Sequence, residues 1–493
     1  MLRVWGNFID GKWVRSSSGK TFKSYNPAKP SQTLGIFQKG NEEDVERAVS
    51  AAEKAFPLWS EVPAPHRAEI LFKIRDLLKK NKQRFGKLVT TEMGKVLSEG
   101  LGDVQEAIDV FEYMAGEGRR LFGHTTPSEL QNKFCMTVRR PIGIVGLITP
   151  WNFPIAIPAW KMSAALICGN TLVLKPSSDT PLCAAELVKL MGKAGVPAGV
   201  VNMVTGPGDS VGSAIIKHPK IRGLSFTGHK DAGKYLLQNA GIKKVGLEMG
   251  GKNAIIIMDD ANLDLALEGV LWGAFGTTGQ RCTATSRVII HRSLQRRFEQ
   301  MLLDRVRRLR LGNGLGKDTD VGPLINEAAV EKSHRYVAIG KNEGAVLLCG
   351  GSRPKMKGCF YHPTVFTNVK PLMRIAQEEI FGPVLSLIPV DNLDEAIDVA
   401  NGIEYGLSAS IYTQNINSAF KAIEKMESGV MYVNASTIGA EVHLPFGGVK
   451  STGNGAREAG IEGINEFSEV KAVYVDFSER LQRAQIDVVK VLK

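Results

Sequence analysis

The chain lacks paired or clustered cysteines. Its six, Cys135, Cys168, Cys183, Cys282, Cys349 and Cys359, are scattered, with no C-x-x-C and no cysteine–histidine group at zinc-ligand spacing. A disulfide framework and a structural metal are both excluded, and no metal is expected. No run of ~18 apolar residues occurs, so no membrane span or membrane partner is expected. The most apolar stretch, Ile142 to Ile148, stops before Pro150 and reads as a buried strand. The start, Met1-Leu2-Arg3-Val4-Trp5-Gly6-Asn7, has no charged opening followed by an apolar core and a small-residue cleavage site. These absences predict a cytoplasmic protein. Repeats and low-complexity linkers are also missing.

The 493 residues can bury large cores and predict two or three domains; 43% hydrophobic and 23% charged residues are ordinary for a soluble globular chain. The net charge of +12 raises the question of nucleic acid. The densest basic run, Arg305, Arg307, Arg308 and Arg310, shares a helical pattern with Leu302, Leu303, Val306 and Leu309. It has no interleaved aromatics and no base-reading motif, so a solvated helix face is the reading and no nucleic-acid partner is expected. A basic nucleic-acid-binding protein is the rival from another class.

Asn41 caps a helix whose apolar positions are Val45, Ala48, Val49, Ala52 and Phe56, and Pro57 is expected to end it. One amphipathic region follows from about His66 to Phe85. Helix and strand patterns then alternate. Strands are expected at Thr171–Leu174, Val200–Val204 and Leu224–Phe226, with a helix opened by Thr180-Pro181 and closed near Gly195. A second series begins with a strand at Ser286–Ile290 and a helix from about Ser293 to Arg310, and runs to about Val433. This rhythm predicts an α/β fold with parallel sheets. Two segments fit neither series. Phe122 to Arg140 reads as extended and polar, and Val473–Phe477 as an edge strand, which needs cover.

Two segments suggest covalent chemistry. Cys282 lies in Thr278-Gly279-Gln280-Arg281-Cys282-Thr283-Ala284, and Glu248 in Leu247-Glu248-Met249-Gly250-Gly251-Lys252-Asn253. A thiol attacks as the thiolate and a carboxylate can activate water. Asn152, between Trp151 and Phe153, is either an oxyanion donor or a satisfied turn residue. Lys175 stands at the carboxyl end of a strand, where α/β proteins bind ligands. The turn from Gly228 through His229 to Gly233 opens a helix whose N-terminus can face a pyrophosphate, although no G-x-G-x-x-G is present there.

Pro150-Trp151-Asn152-Phe153-Pro154, Lys175-Pro176-Ser177-Ser178, Phe226-Thr227-Gly228, the Glu248 and Cys282 segments, and Glu378-Glu379-Ile380-Phe381-Gly382-Pro383 occur in this order. The set resembles the aldehyde dehydrogenase superfamily from about Phe8 to about Val475. The resemblance implies two parallel-sheet α/β domains plus a small protruding β oligomerisation domain. Their expected spans are 1–121 and 141–249 for the cofactor-binding domain, 250–450 for the catalytic domain, and 122–140 and 469–493 for the oligomerisation segments of a homodimer or homotetramer. The tail from Ser478 to Lys493 extends past the usual family end.

The implied chemistry is oxidation of a small aldehyde to a carboxylic acid. Cys282 forms a thiohemiacetal, whose oxyanion is held by Asn152 and the Cys282 N–H, and then a thioester. Glu248 activates the water that releases the acid. The implied cofactor contacts are Trp151, Lys175, Ser178, Gly228, His229, Gly233, Glu379 and Phe381. NAD-preferring members often carry Glu where this chain has Ser178, and a carboxylate there repels a 2′-phosphate. NADP is therefore favoured, with NAD as the alternative. His229 replaces a small hydroxyl residue and either touches the pyrophosphate or sits on the surface.

Arg281 and Phe446 are expected on the substrate side. Arg281 has no acidic neighbour between Gly276 and Arg287, so a substrate anion or a residue brought by the fold must neutralise it. It could also lower the thiol pKa. The Gln-Arg-Cys-Thr-Ala pattern is similar to that of semialdehyde dehydrogenases, the 2-oxoglutarate semialdehyde type included, and a short aldehyde or semialdehyde is the expected substrate. The alternatives are the non-phosphorylating glyceraldehyde-3-phosphate and glyceraldehyde dehydrogenases. Glu248 argues against transfer of the thioester to coenzyme A. Glu441 and His443 are further candidates to face the tunnel.

Overall fold

A computed structural model describes residues 2–486. Its short apolar strands, such as Asn253–Ile257 and Thr171–Lys175, are buried along their whole length. Strands apolar on both faces need cover on both, which parallel sheets with crossover helices supply. Two seven-stranded sheets result.

In the first sheet, Lys244–Glu248, Ile221–Thr227, Ile144–Ile148, Thr171–Lys175 and Val201–Met203 run parallel. The antiparallel Asn7–Ile9 and Lys12–Val14 extend its edge. The register sets Thr227 beside Glu248 and Ile148 beside Lys175, so their carboxyl ends open on one side. In the second sheet, Thr364–Thr367, Val384–Val390, Thr285–His291, Asn253–Ile257, Ser408–Tyr412 and Val430–Val433 run parallel, and Val346–Cys349 pairs antiparallel at one edge. The chain leaves the first sheet at Glu248 and enters the second at Asn253. Asn253 in turn pairs with Thr285, three positions after Cys282. The crossing between sheets thus brings the two reactive segments together.

A third sheet joins Ser468–Asp476, Lys133–Pro141 and Thr125–Pro127, all antiparallel. Ser468–Asp476 is its outer strand, and Val470, Tyr474, Val475 and the following Phe477 are exposed. The expected edge strand is longer than the sequence suggested because it pairs with Lys133–Pro141 along its full length. Residues 487–493 of the tail lie outside those described.

Two helix expectations need correction. The Asn41-capped helix, Glu42–Glu61, has the expected cap but does not stop at Pro57. Pro57 costs one backbone hydrogen bond, yet the next turn brings Trp59 into the core at 2% exposure. The helix ends at Val62 instead, where Pro63 forces the preceding residue into extended geometry. The region from His66 to Phe85 is two helices, Ala64–Lys80 and Lys82–Met93. They are broken at Asn81, whose side-chain amide donates to Leu77 O at 2.8 Å. The basic run leaves the Gln295–Val306 helix near its end, and Arg305 and Arg310 are ion-paired with Glu268 and with Asp318 and Asp320. Among the described residues no helix is long and apolar enough to cross a membrane, and no cluster of three metal-ligating side chains occurs.

Candidate active site

Cys282 follows a tight turn, Gly276–Gly279, at the end of the Leu263–Phe275 helix. Within the turn Thr277 and Thr278 have φ of 52° and 58°, a left-handed backbone unfavourable for β-branched residues. Side chains from other elements hold it there. Glu99 Oε1 accepts from Thr277 N at 2.8 Å, and Thr278 Oγ1 donates to Gly322 O at 3.0 Å. Gln280 Nε2 donates to Thr277 O at 3.2 Å, while its Oε1 accepts from Ile325 N at 2.9 Å. Asn253 Nδ2 donates to Cys282 O at 2.8 Å and to Ala284 O at 2.9 Å.

Two cavities meet at Cys282. One is lined by Trp151, Asn152, Gly228, His229, Met249, Gly250, Glu379 and Phe381. The other is lined by Glu106, Phe153, Trp160, Glu248, Arg281, Phe446 and Glu458. Cys282, Thr227 and Met249 belong to both. Of the expected cofactor residues, Trp151, Gly228, His229, Glu379 and Phe381 line the first cavity and Lys175, Ser178 and Gly233 line neither, while the expected substrate residues Arg281 and Phe446 line the second.

Asn152 sits in the loop before the Ala156–Ile167 helix. Its amide Nδ2 donates to Gln280 O at 3.1 Å, which aims the side chain at the Cys282 turn, and its buried Oδ1 has no partner. The loop is anchored by Asp103, which accepts from Ala156 N at 2.7 Å and is ion-paired with the buried Lys95 at 3.2 Å. Glu248, at the carboxyl end of its strand, is 3% exposed and neither carboxyl oxygen has a hydrogen-bond partner. A Cβ at residue 447 would overlap Glu248 Oε1, so Gly447 leaves the carboxyl its space. Burial first, and then Glu458, hold the Glu248 carboxyl well above the usual carboxylate range, with Lys161 opposing. Burial, Glu379 and Glu248 push the Cys282 thiol up to about 12. Arg281 is not among the largest influences on the thiol.

On the cofactor side, Glu379 Oε1 accepts from Gly251 N at 3.0 Å, and a Cβ at residue 250 would collide with the Glu379 carboxyl. Phe381, itself at φ 59°, meets Trp151 edge-to-face at 5.5 Å. Lys175 is buried, its ammonium donating to Pro176 O at 3.0 Å, and burial lowers it to about 8. Ser178 is exposed and donates to Gly206 O at 3.0 Å. His229 is exposed and serves as a helix cap, its Nδ1 accepting from Asp231 N at 3.3 Å. A carboxylate-lined hollow beside backbone N–H groups, with a buried lysine at the end of a neighbouring strand, fits a dinucleotide. Gly233 does not line the cavity. A Cβ there would strike Met249 Sδ, so Gly233 lets its helix approach the cavity wall from behind.

On the substrate side, Phe446 packs edge-to-face on Trp160 at 5.2 Å. Glu441 and His443 are exposed and line neither cavity, because the loop turns inward only at Gly439, Ala440 and Phe446. Arg281 lines the substrate cavity but is not free. It pairs with Glu99 at 3.0 Å, and its Nε donates to Thr277 Oγ1 at 2.9 Å. The fold thus supplies the acid that the neighbouring sequence lacks. Glu99, Asp103 and Glu106 escaped the sequence reading, as did Lys161, Glu458 and Glu466. A signal for the first three existed: acids at i, i+4 and i+7 lie on one helix face, among the apolar Val104, Ala107, Ile108 and Phe111.

Residues 13–473 match the aldehyde dehydrogenase family. The chain belongs to that family. It is 42% identical to the alpha-ketoglutaric semialdehyde dehydrogenase of Bacillus subtilis (strain 168), over 95% of this chain and 97% of that one. It is 40% identical to the 2,5-dioxopentanoate dehydrogenase of Saccharolobus solfataricus, over 94% and 98%. The crystal structure of Staphylococcus aureus betaine aldehyde dehydrogenase in complex with NAD+ aligns at a TM-score of 0.94 with 36% identity, covering 97% of this chain and 96% of that one. The α/β architecture is that of the family, and the protein is an NAD(P)-dependent oxidoreductase acting on aldehydes.

Because Arg281 and Glu99 are only 12% and 13% exposed, Arg281→Met leaves a nearly buried carboxylate unpaired. The expected loss is about 3 kcal/mol in urea unfolding, and Arg281→Met/Glu99→Gln should recover part of it. An unchanged midpoint in the single variant would show the pair to be idle.

Proposed function

We propose that this enzyme oxidises a short semialdehyde through a covalent Cys282 adduct, with the residues 1–121 and 141–249 binding the cofactor and 250–450 supplying the nucleophile. The observation that carries the reading is the meeting of the two cavities at Cys282. The thiolate adds to the aldehyde carbon, and the oxyanion is taken up by Asn152 Nδ2 and the Cys282 N–H. Glu379 and Phe381 would hold the nicotinamide end of a bound dinucleotide and Lys175 the other, and the nicotinamide would supply the hydride acceptor. The thioester left on Cys282 is then hydrolysed, with Glu248 drawing the proton from water. A carboxyl held above its usual range is a poor base at low pH, so this step quickens as pH rises.

The semialdehyde reading rests on the names of the two relatives and on the polar end of the substrate cavity. There Arg281 keeps an Nη1 with no protein acceptor among the described residues. For the cofactor, no carboxylate stands at residue 178, and Asp179 is tied back by Asn326 Nδ2 at 3.1 Å. A 2′-phosphate would meet Lys175 once Ser178 turns from Gly206, with Asp179 the carboxyl whose charge also reaches that lysine. A cytoplasmic setting fits this reaction. The exposed apolar strand Ser468–Asp476 would be covered by a second copy, making the protein an oligomer.

Three measurements test this. In rapid-mixing experiments Glu248→Gln should give about one equivalent of reduced cofactor per site and then stall, while Cys282→Ala should give none; loss of the burst in Glu248→Gln would move that residue to an earlier step. NADP should be used at least as well as NAD, and Ser178→Glu should reverse the order; a wild-type preference for NAD above about tenfold, ~1.4 kcal/mol, contradicts the cofactor reading. Val470→Glu/Tyr474→Lys should dissociate the assembly in sedimentation velocity, and an oligomer of unchanged size would place the interface elsewhere.

A further inference from the structure

The helix Leu97–Glu117 carries three acids, Glu99, Asp103 and Glu106, along one face, four and three residues apart. Two are committed. Glu99 pairs with Arg281 and accepts from Thr277 N, and Asp103 pairs with Lys95 and accepts from Ala156 N. Glu106 is different. It is half-buried in the wall of the substrate cavity and makes neither an ion pair nor a hydrogen bond among the described residues. The wall beside it is largely apolar, with Phe153, Ile157, Trp160 and Phe446 in the same cavity. The other carboxyls there have their own roles: Glu458 is paired with Lys161, and Glu248 is the base of the scheme above. An apolar side chain would fill the position of Glu106 without the cost of enclosing a carboxyl. A polar group left open on a cavity that Cys282 also lines is placed to meet the substrate.

Arg281 reaches the same cavity with one guanidinium nitrogen to spare. Its Nε is spent on Thr277 Oγ1 and its Nη2 on Glu99, which leaves Nη1 without a protein acceptor among the described residues. Toward a carboxylate, Glu106 is useful only while it holds its proton. Its O–H then donates to the ligand; once ionised it offers acceptors alone and repels. Burial, then Asp103, push its carboxyl up to about 8, with Asp109 adding to the rise and Lys95 and Arg281 opposing it. The charged and titratable groups around it are Glu99, Asp103 and Asp109 from its own helix, Lys95 from the segment before that helix and Arg281 from the Cys282 turn. Glu248 and the Lys161–Glu458 pair belong to the rest of the cavity. The donor is therefore present below about pH 8 and is replaced above it by a charge of the tail's own sign.

We propose that Glu106 is a specificity-determining residue: its protonated carboxyl hydrogen-bonds the distal carboxylate of the substrate beside Nη1 of Arg281, and its ionisation closes the site to such substrates. The proposal rests on the semialdehyde reading. It adds that the choice of tail charge resides in an acid as well as in the arginine, and that the choice changes with pH. Glu106 takes no part in hydride transfer or in hydrolysis of the thioester, so its removal alters which aldehyde is preferred and leaves the order of chemical steps as it is.

The test compares 5-oxopentanoate with pentanal, two aldehydes of equal length, by the ratio of their kcat/KM values from about pH 6 to about pH 9.5. The ratio cancels what the two reactions share, the ionisation of Cys282 and of Glu248 included. In the wild type the ratio should favour the anion, hold level to about pH 7 and fall about tenfold by about pH 9, as the loss of one proton near pH 8 requires. Glu106→Gln keeps an N–H donor and cannot ionise, so its ratio should stay level across the range. Glu106→Leu removes the donor, and its ratio should lie at least about tenfold below the wild-type value at about pH 7, without the later fall. The near-isosteric Glu106→Gln carries the test by itself if Glu106→Leu does not fold. A Glu106→Gln ratio that falls as the wild type's does assigns the titration to another group and overturns the proposal. A wild-type ratio that favours 5-oxopentanoate equally at every pH also removes the proposal, and it leaves the semialdehyde reading standing. A wild type that prefers pentanal throughout removes both.

Discussion

The reaction centre depends on a backbone held where it would not rest by itself. Left-handed geometry at Thr277 and Thr278 costs roughly 1–2 kcal/mol per residue, and two such residues stand in succession before the nucleophile. The cost is offset by partners from distant parts of the chain. Glu99 holds Thr277 N and Arg281 at once, Gln280 ties the turn to Thr277 and Ile325, and Asn253 holds the carbonyls on both sides of Thr283. The same turn presents Gln280 O to Asn152, so the Asn152 amide and the Cys282 thiol are set by one piece of backbone. Because Asp103 anchors the Asn152 loop and Glu99 anchors the turn, a single helix, Leu97–Glu117, braces both.

A second constraint is the space granted to carboxyl groups. Glu248, Glu379 and Glu466 occupy volume that a Cβ at residues 447, 250 and 246 would remove. Each is enclosed, and burial raises the pKa of all three. Buried carboxylates are expensive, so such groups hold their protons to higher pH than surface acids do. The glycines thus do more than shape turns. They decide where enclosed carboxyls can stand.

Much of this was legible in the chain because the informative residues are local. Strands at Thr171–Lys175 and Ile221–Thr227 announce themselves by short apolar runs, and Asn41 by its capping pattern. Cys282, Glu248 and Asn152 are weak signals within their own segments and gain meaning from the ordered motifs around them, which resemble the family. What the sequence could not show is pairing across distance. Arg281 looked uncompensated because its partner lies at Glu99, which folding alone brings within 3.0 Å. Gly233 looked like a ligand contact, and its role against Met249 depends on a helix–strand approach that no spacing encodes. Pro57 was misread for a related reason: a local rule about proline yields to the burial of Trp59. Glu466 carries no motif at all, and only the facing Gly246 gives it room.

The charge of the substrate cavity follows from the same pairing. Arg281 and Glu99 cancel, so the guanidinium gives direction more than net field. Glu106, in the cavity wall, is raised by burial and by Asp103 to about 8, against Lys95 and Arg281, and is mostly a neutral carboxyl at pH 7. An anionic tail entering here at neutral pH meets the Glu106 O–H donor and the uncommitted Nη1 of Arg281. Above about pH 8 Glu106 ionises and the cavity turns negative. The favourable setting for a semialdehyde thus comes from a carboxyl kept neutral beside a cation already paired, and a bare positive pocket is not required. Under the proposed scheme Glu248 makes the opposite demand, since burial holds its carboxyl well above the usual carboxylate range and it must be ionised to act. One carboxyl of the cavity then serves while protonated and the other only once it has lost its proton.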